Sequence, residues 1–573
     1  MTEQRRILVT AALPYATGHI HIGHLVEQIQ TDIWVRFHQL MGRECYFICG
    51  EDTHGTGTMI EARKRNLTPE QLIADIHRDH LQDLRSFEIQ HSHFGSTNSE
   101  ENRKLCEFFY SQMQAQKHLA KRTIEQLYCE HDQMFLPDRF VKGQCPKCDS
   151  PGQYGDSCDV CGSTYSPTDL KNPACSVCGT RPVIRPSEQI LFQLEHFREF
   201  LTGWLADHTQ KEISNKMMEW FKEPLRDWDI SRNAPYFGFQ IPGHKDKFFY
   251  VWVDAPMGYV SGTEIFCREA GVWAALPKSV PPAPPQTPLP HLLPHLLFDD
   301  FWRSHRTELY HFIGKDIAYF HTLFWPALLH MAGFRTPTKV FAHGMLTVNG
   351  QKMSKSKGTQ INARTFAKHL SPTYLRYYYA SKLTSGLDDF DLSMDDFIQR
   401  VNSDLVGKIT NLGSRGAQML GKKFQGEMIE SDREGLELIQ RFQKSSQEIA
   451  HHYEGRDYSK TIGVVRGLAD EANRYFDEKA PWKSADSVQT QRVLSTTLNL
   501  FRLLCIYLKP IVPSYVAQVE DLFSTPHPWS WRDVGSILHA GKIKAYKHLI
   551  GRIEPAQVEK IMQESLPPST AAT

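Results

Sequence analysis

The sequence predicts an α/β fold: a parallel-sheet domain split by a cysteine-dense insertion and followed by an all-helical domain. Three observations predict it. The chain opens as strand, helix and strand; seven of the twelve cysteines fall between Cys129 and Cys178; and after about Phe397 only helical periodicity remains. At 573 residues the chain has room for roughly three to four domains. Hydrophobic residues at 41% and charged residues at 23% supply large cores and exclude a disordered polyelectrolyte. Lys+Arg and Asp+Glu each total 65, so a polyanionic partner must be held by local basic surfaces and not by net charge.

The elements follow in order. Arg6–Ala11 is a short β-rich run, a Pro- and Gly-containing loop follows it, and Val26, Ile29, Ile33, Phe37 and Leu40 then recur at helical spacing. Glu44–Cys49 is the second strand, so the opening reads as one βαβ unit. The helical pattern runs on to about residue 118. The segment 119–185 has too little apolar material to build a core of its own. From about Pro186 the α/β pattern resumes, with Phe248–Val253, Leu309–Ile313 and Lys339–Ala342 as strands. Eight prolines in 277–294 exclude a central strand and predict a surface loop. Val401, Leu405, Ile409 and Leu412 form one helical stripe, and amphipathic segments cover 435–453, 458–478 and 489–507.

Among these elements Cys145-Pro-Lys-Cys148 and Cys158-Asp-Val-Cys161 supply four thiolates for one tetrahedral Zn²⁺. Four protein ligands leave no open position, so the metal is structural, and its binding energy becomes folding energy for a module with almost no core. A third pair, Cys175-Ser-Val-Cys178, raises the possibility of a second zinc. No apolar run reaches the 18 or so residues of a membrane span, and the start lacks a signal peptide, so the expected location is cytoplasmic.

Two short stretches carry the chemistry. Thr17-Gly-His-Ile-His21-Ile-Gly-His24 lies between the first strand and first helix, where unpaired N–H groups and the helix dipole attract phosphate. Gly350-Gln-Lys352-Met-Ser-Lys355-Ser-Lys357-Gly358 follows the last strands of the sheet and carries cations on a glycine-flanked loop behind an Asn349-Gly350 turn. Together they resemble the two signatures of class I aminoacyl-tRNA synthetases. The blocks AALPYATGHIHIGH, GEDTHGT, FYVWVDAPMGY, YHFIGKDIAYFHTLFWPA and HGMLTVNGQKMSKSKGT narrow the resemblance to the methionyl-tRNA synthetase family, from about residue 5 to about 562.

The resemblance implies a Rossmann-type catalytic domain at 1–118 and 186–345, an inserted zinc-knuckle connective module at 119–185, and a linker carrying the lysine loop at 346–396. It further implies an α-helical anticodon-binding domain at 397–550 and a C-terminal extension at 551–573. The implied activity is ATP-dependent ligation of L-methionine to tRNA(Met), initiator tRNA included, through methionyl-adenylate, with Mg²⁺ accompanying ATP. His21, His24, Lys352 and Lys355 are the implied catalytic residues. Gly23, Gly314, Lys315, Asp316 and Lys355 are the implied ATP contacts, with Gly23 admitting the nucleotide close to the backbone.

The methionine pocket is expected from Leu13, Tyr15, Trp252, Ala255, Pro256, Tyr259, Phe320 and His321, with Asp52 on the α-ammonium. Tyr259 and His321 are the candidate polar readers of sulfur, because apolar packing alone separates methylene-sized differences by only about 10- to 200-fold. Asn411, Arg415 and Trp482 are expected at the anticodon, with the tryptophan stacking on a splayed base. In two-zinc relatives a cysteine pair precedes the module; here that position reads Cys129-Glu-His131-Asp132, so the possible second site is Cys129, Cys175 and Cys178 with Asp132 or His131. The insertion is too small for a hydrolytic editing domain, and a monomer is expected.

Overall fold

A computed structural model describes residues 5–137, 140–155, 158, 160, 161, 163, 165–269, 296–353 and 359–566. The proline-rich stretch 277–294, the 354–358 part of the lysine loop and the last seven residues lie outside them.

The centre is a five-stranded parallel sheet. Strand β1 (Arg6–Ala11) pairs on one side with β2 (Glu44–Glu51), Arg6 opposite Glu44, and on the other with Thr307–Gly314, Arg6 opposite Thr307. Strand β3 (His93–Ser96) lies outside β2, and Lys339–His343 outside Thr307–Gly314. Consecutive residues of β1 alternate between the two faces. Ile7, Val9 and Ala11 pack with helix α1 (Ile22–Leu40) and the core that runs on into the C-terminal helices. Leu8 packs in a second core with helices Glu100–Ala115 and Val251–Glu269. The winding direction changes between β1 and Thr307–Gly314, so a cleft opens at their carboxyl ends.

Two expectations are corrected. The helical run toward residue 118 is interrupted by β3, whose His-Phe-Gly-Ser sequence lacks the β-branched residues that signal a strand. Of the expected strand Phe248–Val253 only Phe248 and Phe249 are strand, within Lys247–Phe249, which pairs antiparallel with Ser231–Asn233 outside the central sheet; a 19-residue helix starts at Val251. The missed signal is the spacing of Trp252, Ala255, Pro256 and Tyr259, which is i, i+3, i+4, i+7.

The insertion rides on a long antiparallel ribbon, Leu119–Cys129 against Val183–Phe192, and its small cluster contains Leu127, Met134, Phe140, Val141 and Leu170. The C-terminal part is helical, with Asn411–Phe424, Arg433–Lys444, Ser446–Glu454, Tyr458–Lys479, Ser487–Leu508 and Pro513–Leu522. Gly413 and Gly416 let the first of these approach Phe501 and Thr497 closely; a Cβ on Gly413 would stand 2.5 Å from the Phe501 ring. The buried Arg376 ties this part to the sheet domain, donating to Asp32 on α1 at 2.6 Å and to the Ile511 carbonyl at 2.7 Å.

Candidate active site, tRNA-reading surface and metal clusters

Helix α1 begins with a cap made of two imidazoles. Nδ1 of His21 accepts the Gly23 and His24 backbone N–H groups at 3.1 and 3.3 Å, and Nδ1 of His24 accepts the His21 N–H at 3.3 Å. The rings stack with centroids 3.6 Å apart. An Nδ1 that accepts carries no proton, so each neutral ring holds its hydrogen on Nε2 and is a donor there. Desolvation and then His21 push the His24 pKa well below the ordinary histidine range. Behind the cap, Nε2 of the buried His80 donates to the Gly18 carbonyl at 2.6 Å, and its Nδ1 lies 2.8 Å from Glu51 at the end of β2. That imidazole fixes the loop ahead of His21 to the strand that delivers Asp52.

The two sequence motifs meet, although more than three hundred residues separate them. The Met353 methyl occupies the space beside Gly23, where a Cβ would stand 2.1 Å from it. Backbone bonds join the flanks: Ile22 N–H donates to Ile361 O at 3.0 Å and Ala363 N–H to Ile20 O at 2.9 Å. A cavity of about 320 Å³ is shared by His21, Gly23, His24, Met353, Gly314 and Asp316. Glu27, His343 and Tyr15 also line it; nothing in the sequence pattern singles out Glu27 or His343. Asn349 and Gly350 have φ of 48° and 73° and form the expected tight turn between Leu346–Val348 and Gln351–Lys352. Lys352 is exposed on that hairpin and does not line the cavity, and Lys355 lies outside the described residues. Lys315 turns away from the cavity to Asp389, 2.6 Å distant.

Beside this cavity, at the end of β1, a smaller one of about 40 Å³ is lined by Leu13, Asp52, Trp252, Ala255, Pro256, Tyr259, Phe320 and His321. These are eight of the nine residues expected at a methionine pocket. Tyr15 stands apart from it, donating to the His54 carbonyl at 2.7 Å. Ala12, Ile317, Phe324 and Trp325 complete the walls and were not foreseen; they sit in apolar runs indistinguishable from core.

The polar groups of this pocket are closely specified. His321 Nδ1 donates to the Ile317 carbonyl at 3.1 Å, which leaves Nε2 to accept the Tyr259 hydroxyl at 2.9 Å. Burial pushes the His321 pKa down to about 4, so the ring is neutral. Trp252 and Phe320 stack at 3.7 Å across the pocket. Asp52 is buried, and its Oδ1 has no hydrogen-bond partner among the described residues. Desolvation, then the nearby Asp254, push its pKa well above the ordinary carboxylate range. A carboxyl left without a partner in an apolar pocket suits a cation, whose charge would favour its ionised form.

The cysteines form two clusters. Cys145 and Cys161 sulfurs are 3.8 Å apart and Cys148 and Cys158 3.6 Å, within one group of four ligands. Zn–S bonds of about 2.3 Å at tetrahedral angles place sulfurs about 3.8 Å apart, so the spacing fits zinc. The second cluster is Cys129, Asp132, Cys175 and Cys178, with Asp132 Oδ2 at 3.4 Å from Cys129 and 3.2 Å from Cys175. Asp132 and not His131 faces these sulfurs; His131 is exposed and contacts Asp132 from outside at 3.2 Å. Both donor sets fit a closed metal site.

On the helical part, Asn411 is exposed and Arg415 lies one turn further along the same face. The Arg415 guanidinium packs over Phe476 at 4.5 Å and Trp482 at 5.2 Å while pairing with Asp477 at 2.9 Å. Trp482 is 42% exposed, so it is a presented ring and not a helix-end plug. The C-terminal helix Pro555–Glu564 returns to the helix Ala363–His369 that follows the lysine motif, where Glu564 meets Lys368 and His369, each at 2.9 Å.

A doubly wound sheet with an imidazole-capped first helix, and a lysine motif joined to it across the cleft, defines the chain as a class I tRNA synthetase. The family model for tRNA synthetases class I (M) matches residues 7–417, and that for the anticodon binding domain of methionyl tRNA ligase matches 426–562. The chain belongs to the methionyl-tRNA ligase family. It is 54% identical over 567 residues to the methionine–tRNA ligase of Bdellovibrio bacteriovorus, covering 98% of this chain and 79% of that one. It is 46% identical over 577 residues to that of Chromobacterium violaceum, covering 98% and 80%. Among solved structures, Mycobacterium tuberculosis methionyl-tRNA synthetase in complex with methionyl-adenylate superposes with a TM-score of 0.76 at 23% identity over 96% of this chain and all of that one. The apo form of the same enzyme gives 0.70 at 22% identity, over 96% and 99%. These superpositions show the shared fold.

Proposed function

We infer that the chain is a methionine–tRNA ligase. The single observation that carries the mechanism is the cavity shared by the two motifs, which has Ala12, Leu13 and Ile317 in common with a pocket that holds a carboxyl without a partner. Methionine's ammonium pairs with Asp52, and its side chain enters between Trp252, Phe320 and Tyr259, where sulfur–aromatic contacts contribute about 0.3 to 1.5 kcal/mol each. The Tyr259–His321 pair reads the sulfur. A methionine carboxylate oxygen attacks the α-phosphorus of ATP, entering with Mg²⁺, and the bond to pyrophosphate breaks. The Nε2–H groups of His21 and His24 meet the charge that develops on the phosphoryl oxygens. Lys352, on the hairpin of the Asn349–Gly350 turn, and Lys355, three residues further along the chain, attend the departing pyrophosphate, and Asp316 faces the nucleoside. A 3′-terminal ribose hydroxyl of tRNA then attacks the carbonyl carbon of the adenylate. The bond from that carbon to the phosphate oxygen breaks, and AMP leaves with the proton on its phosphate.

The direct test is ATP–pyrophosphate exchange across a panel of amino acids. Exchange stimulated by methionine alone, with charging of tRNA(Met), is expected; stimulation by another amino acid in its place overturns the assignment.

Asn411, Arg415 and Trp482 read the anticodon. Trp482→Ala is expected to raise the KM for tRNA about 5- to 100-fold, since base stacking contributes about 1 to 3 kcal/mol, with exchange unchanged. Equal losses in both assays would assign the ring to folding.

The cysteine module holds two zinc ions, Cys145, Cys148, Cys158 and Cys161 around one, and Cys129, Asp132, Cys175 and Cys178 around the other. Both are structural, since four protein ligands close each site. Purified protein is expected to contain about two zincs per chain and Cys175→Ser about one. A single zinc in the parent, retained in Cys175→Ser, removes the second site.

A further inference from the structure

Two residues beyond Asp52, the buried His54 lines neither the methionine pocket nor the nucleotide cavity, yet its imidazole is bonded on both sides. Nδ1 lies 2.5 Å from Oδ2 of Asp254, and Nε2 lies 3.2 Å from Oδ1 of Asn98. Asp254 is fully buried on the helix Val251–Glu269, between the pocket residues Trp252 and Ala255. We propose that His54 is a positioning residue for methionine: through its proton it cancels the charge of Asp254, so that Asp52 alone presents a negative charge to the substrate ammonium. The inference rests on the ligase reading above.

The charge count follows from the hydrogen bonds. An amide oxygen only accepts, so Nε2 carries a hydrogen toward Asn98. A second hydrogen lies between Nδ1 and Oδ2, since at 2.5 Å two facing lone pairs would repel. Ring and carboxyl together therefore hold one proton more than a neutral imidazole beside a carboxylate, and the pair is neutral. Oδ1 of Asp254, like Oδ1 of Asp52, has no hydrogen-bond partner among the described residues. Two neighbouring buried carboxyls this short of partners do not both ionise unless a cation or a shared proton offsets one of them. With His54 in place the site gains a single negative charge when Asp52 ionises, the complement of one ammonium.

The frame that holds this pair also holds Asp52. The Asp52 N–H donates to the Pro14 carbonyl at 3.0 Å, the Ala16 N–H to the Asp52 carbonyl at 2.8 Å, the Thr53 N–H to the Thr97 hydroxyl at 3.0 Å, and the Tyr15 hydroxyl to the His54 carbonyl at 2.7 Å. Asn102 ties the same frame to the helix, donating to the carbonyls of Thr97 at 3.0 Å and Asp254 at 3.1 Å. Phe237 and Phe239 close on the imidazole edge to face at 5.1 and 4.6 Å. Of the other ionisable groups nearby, Tyr15, Tyr236 and Cys106 are kept protonated by burial. Glu51 turns to His80 at 2.8 Å. On the open side of Asp52, Arg232 pairs with Asp229 at 3.0 Å and Lys64 stands 3.8 Å from Glu61. Burial by itself lowers the His54 pKa, but the charge and hydrogen bond of Asp254, and then the Asn98 bond, raise it above the ordinary histidine value.

The test compares His54→Asn, Asp254→Asn and the double variant with the parent. Asparagine keeps an N–H near the place of Nδ1 but does not carry the extra proton. In ATP–pyrophosphate exchange, kcat/KM for methionine is measured from about pH 5.5 to about pH 9, together with KM for ATP. In His54→Asn the fall on acidification is expected to begin about one pH unit higher than in the parent, an approximately tenfold loss of kcat/KM inside that window, with KM for ATP within about twofold. Adding Asp254→Asn removes the uncompensated charge and is expected to return the fall to the parent's pH or below, as in Asp254→Asn alone. A purely structural role would leave the double variant no better than His54→Asn. An onset in His54→Asn within about 0.3 pH unit of the parent, a loss equal at every pH, or a double variant that stays where the single one lies overturns the proposal and leaves the ligase reading intact. Neutron diffraction on the parent at about pH 7.5 needs no variant: hydrogens on Nε2 and between Nδ1 and Oδ2 are expected, and a bare Nε2 overturns the proposal. Absence of methionine-dependent exchange in the parent overturns the ligase reading itself.

Discussion

Replacing His24 with alanine is expected to slow methionine-dependent ATP–pyrophosphate exchange by about 10²- to 10³-fold, the cost of removing one preorganised donor from a developing oxyanion. Methionine affinity, read by equilibrium dialysis, should change little, because His24 lines the nucleotide cavity and not the methionine pocket. The cap fixes the ring's tautomer through the His21 backbone N–H, so the donor is oriented before ATP arrives. Desolvation keeps the ring neutral, and neutral imidazole still offers its Nε2–H. Exchange should therefore show no loss attributable to His24 near the ordinary histidine pKa. An exchange rate within about threefold of the parent for His24→Ala would overturn the electrostatic role, since even one weakened donor contributes more.

Asp52→Asn is expected to raise the KM for methionine about 10²- to 10³-fold, the cost of leaving a buried charge without its partner, here the substrate ammonium. The pH dependence has a definite sign. Burial and Asp254 raise the Asp52 pKa, so the free protein takes up a proton at a higher pH than an ordinary carboxyl does. Only the ionised form pairs with the ammonium, so kcat/KM for methionine should fall on acidification, beginning above the usual carboxylate range.

Stability runs the other way. With the native pKa above the unfolded one, the folded chain binds more protons between the two values, and this group's contribution is lost as pH rises through that window. Asp52→Asn should then melt higher than the parent at neutral pH without ligand, and should lose the methionine-induced rise in Tm. Retention of that rise would place the ammonium elsewhere.

Much of this site is legible in the chain because its parts sit on local motifs. The first histidine motif lies where a strand gives way to a helix, and the imidazoles of that motif themselves cap the helix. The Asn349-Gly350 turn is written in its two residues. The cysteine pairs announce their ligand sets by spacing, and Asp132 occupies the place of a missing fourth sulfur. Less legible was the helix at Val251, because an aromatic, β-branched run reads as strand until the i, i+3, i+4, i+7 spacing of its cavity-facing residues is noticed. Ala12, Ile317, Phe324 and Trp325 were hidden for a related reason: a pocket wall and a core wall have the same composition.

The amino-acid order by itself determined the class of fold, the two nucleotide motifs, the four-cysteine set of the first cluster and the family, since each depends on residues near one another along the chain or on blocks that align as units. Only the tertiary structure decided that Met353 rests on Gly23, that Asp132 and not His131 faces the second group of sulfurs, and that Lys315 turns to Asp389. Each of these is a contact between segments far apart in the chain, or a choice between side chains of equal local merit. Such contacts are set by how packed elements cross, and no periodicity or spacing encodes them.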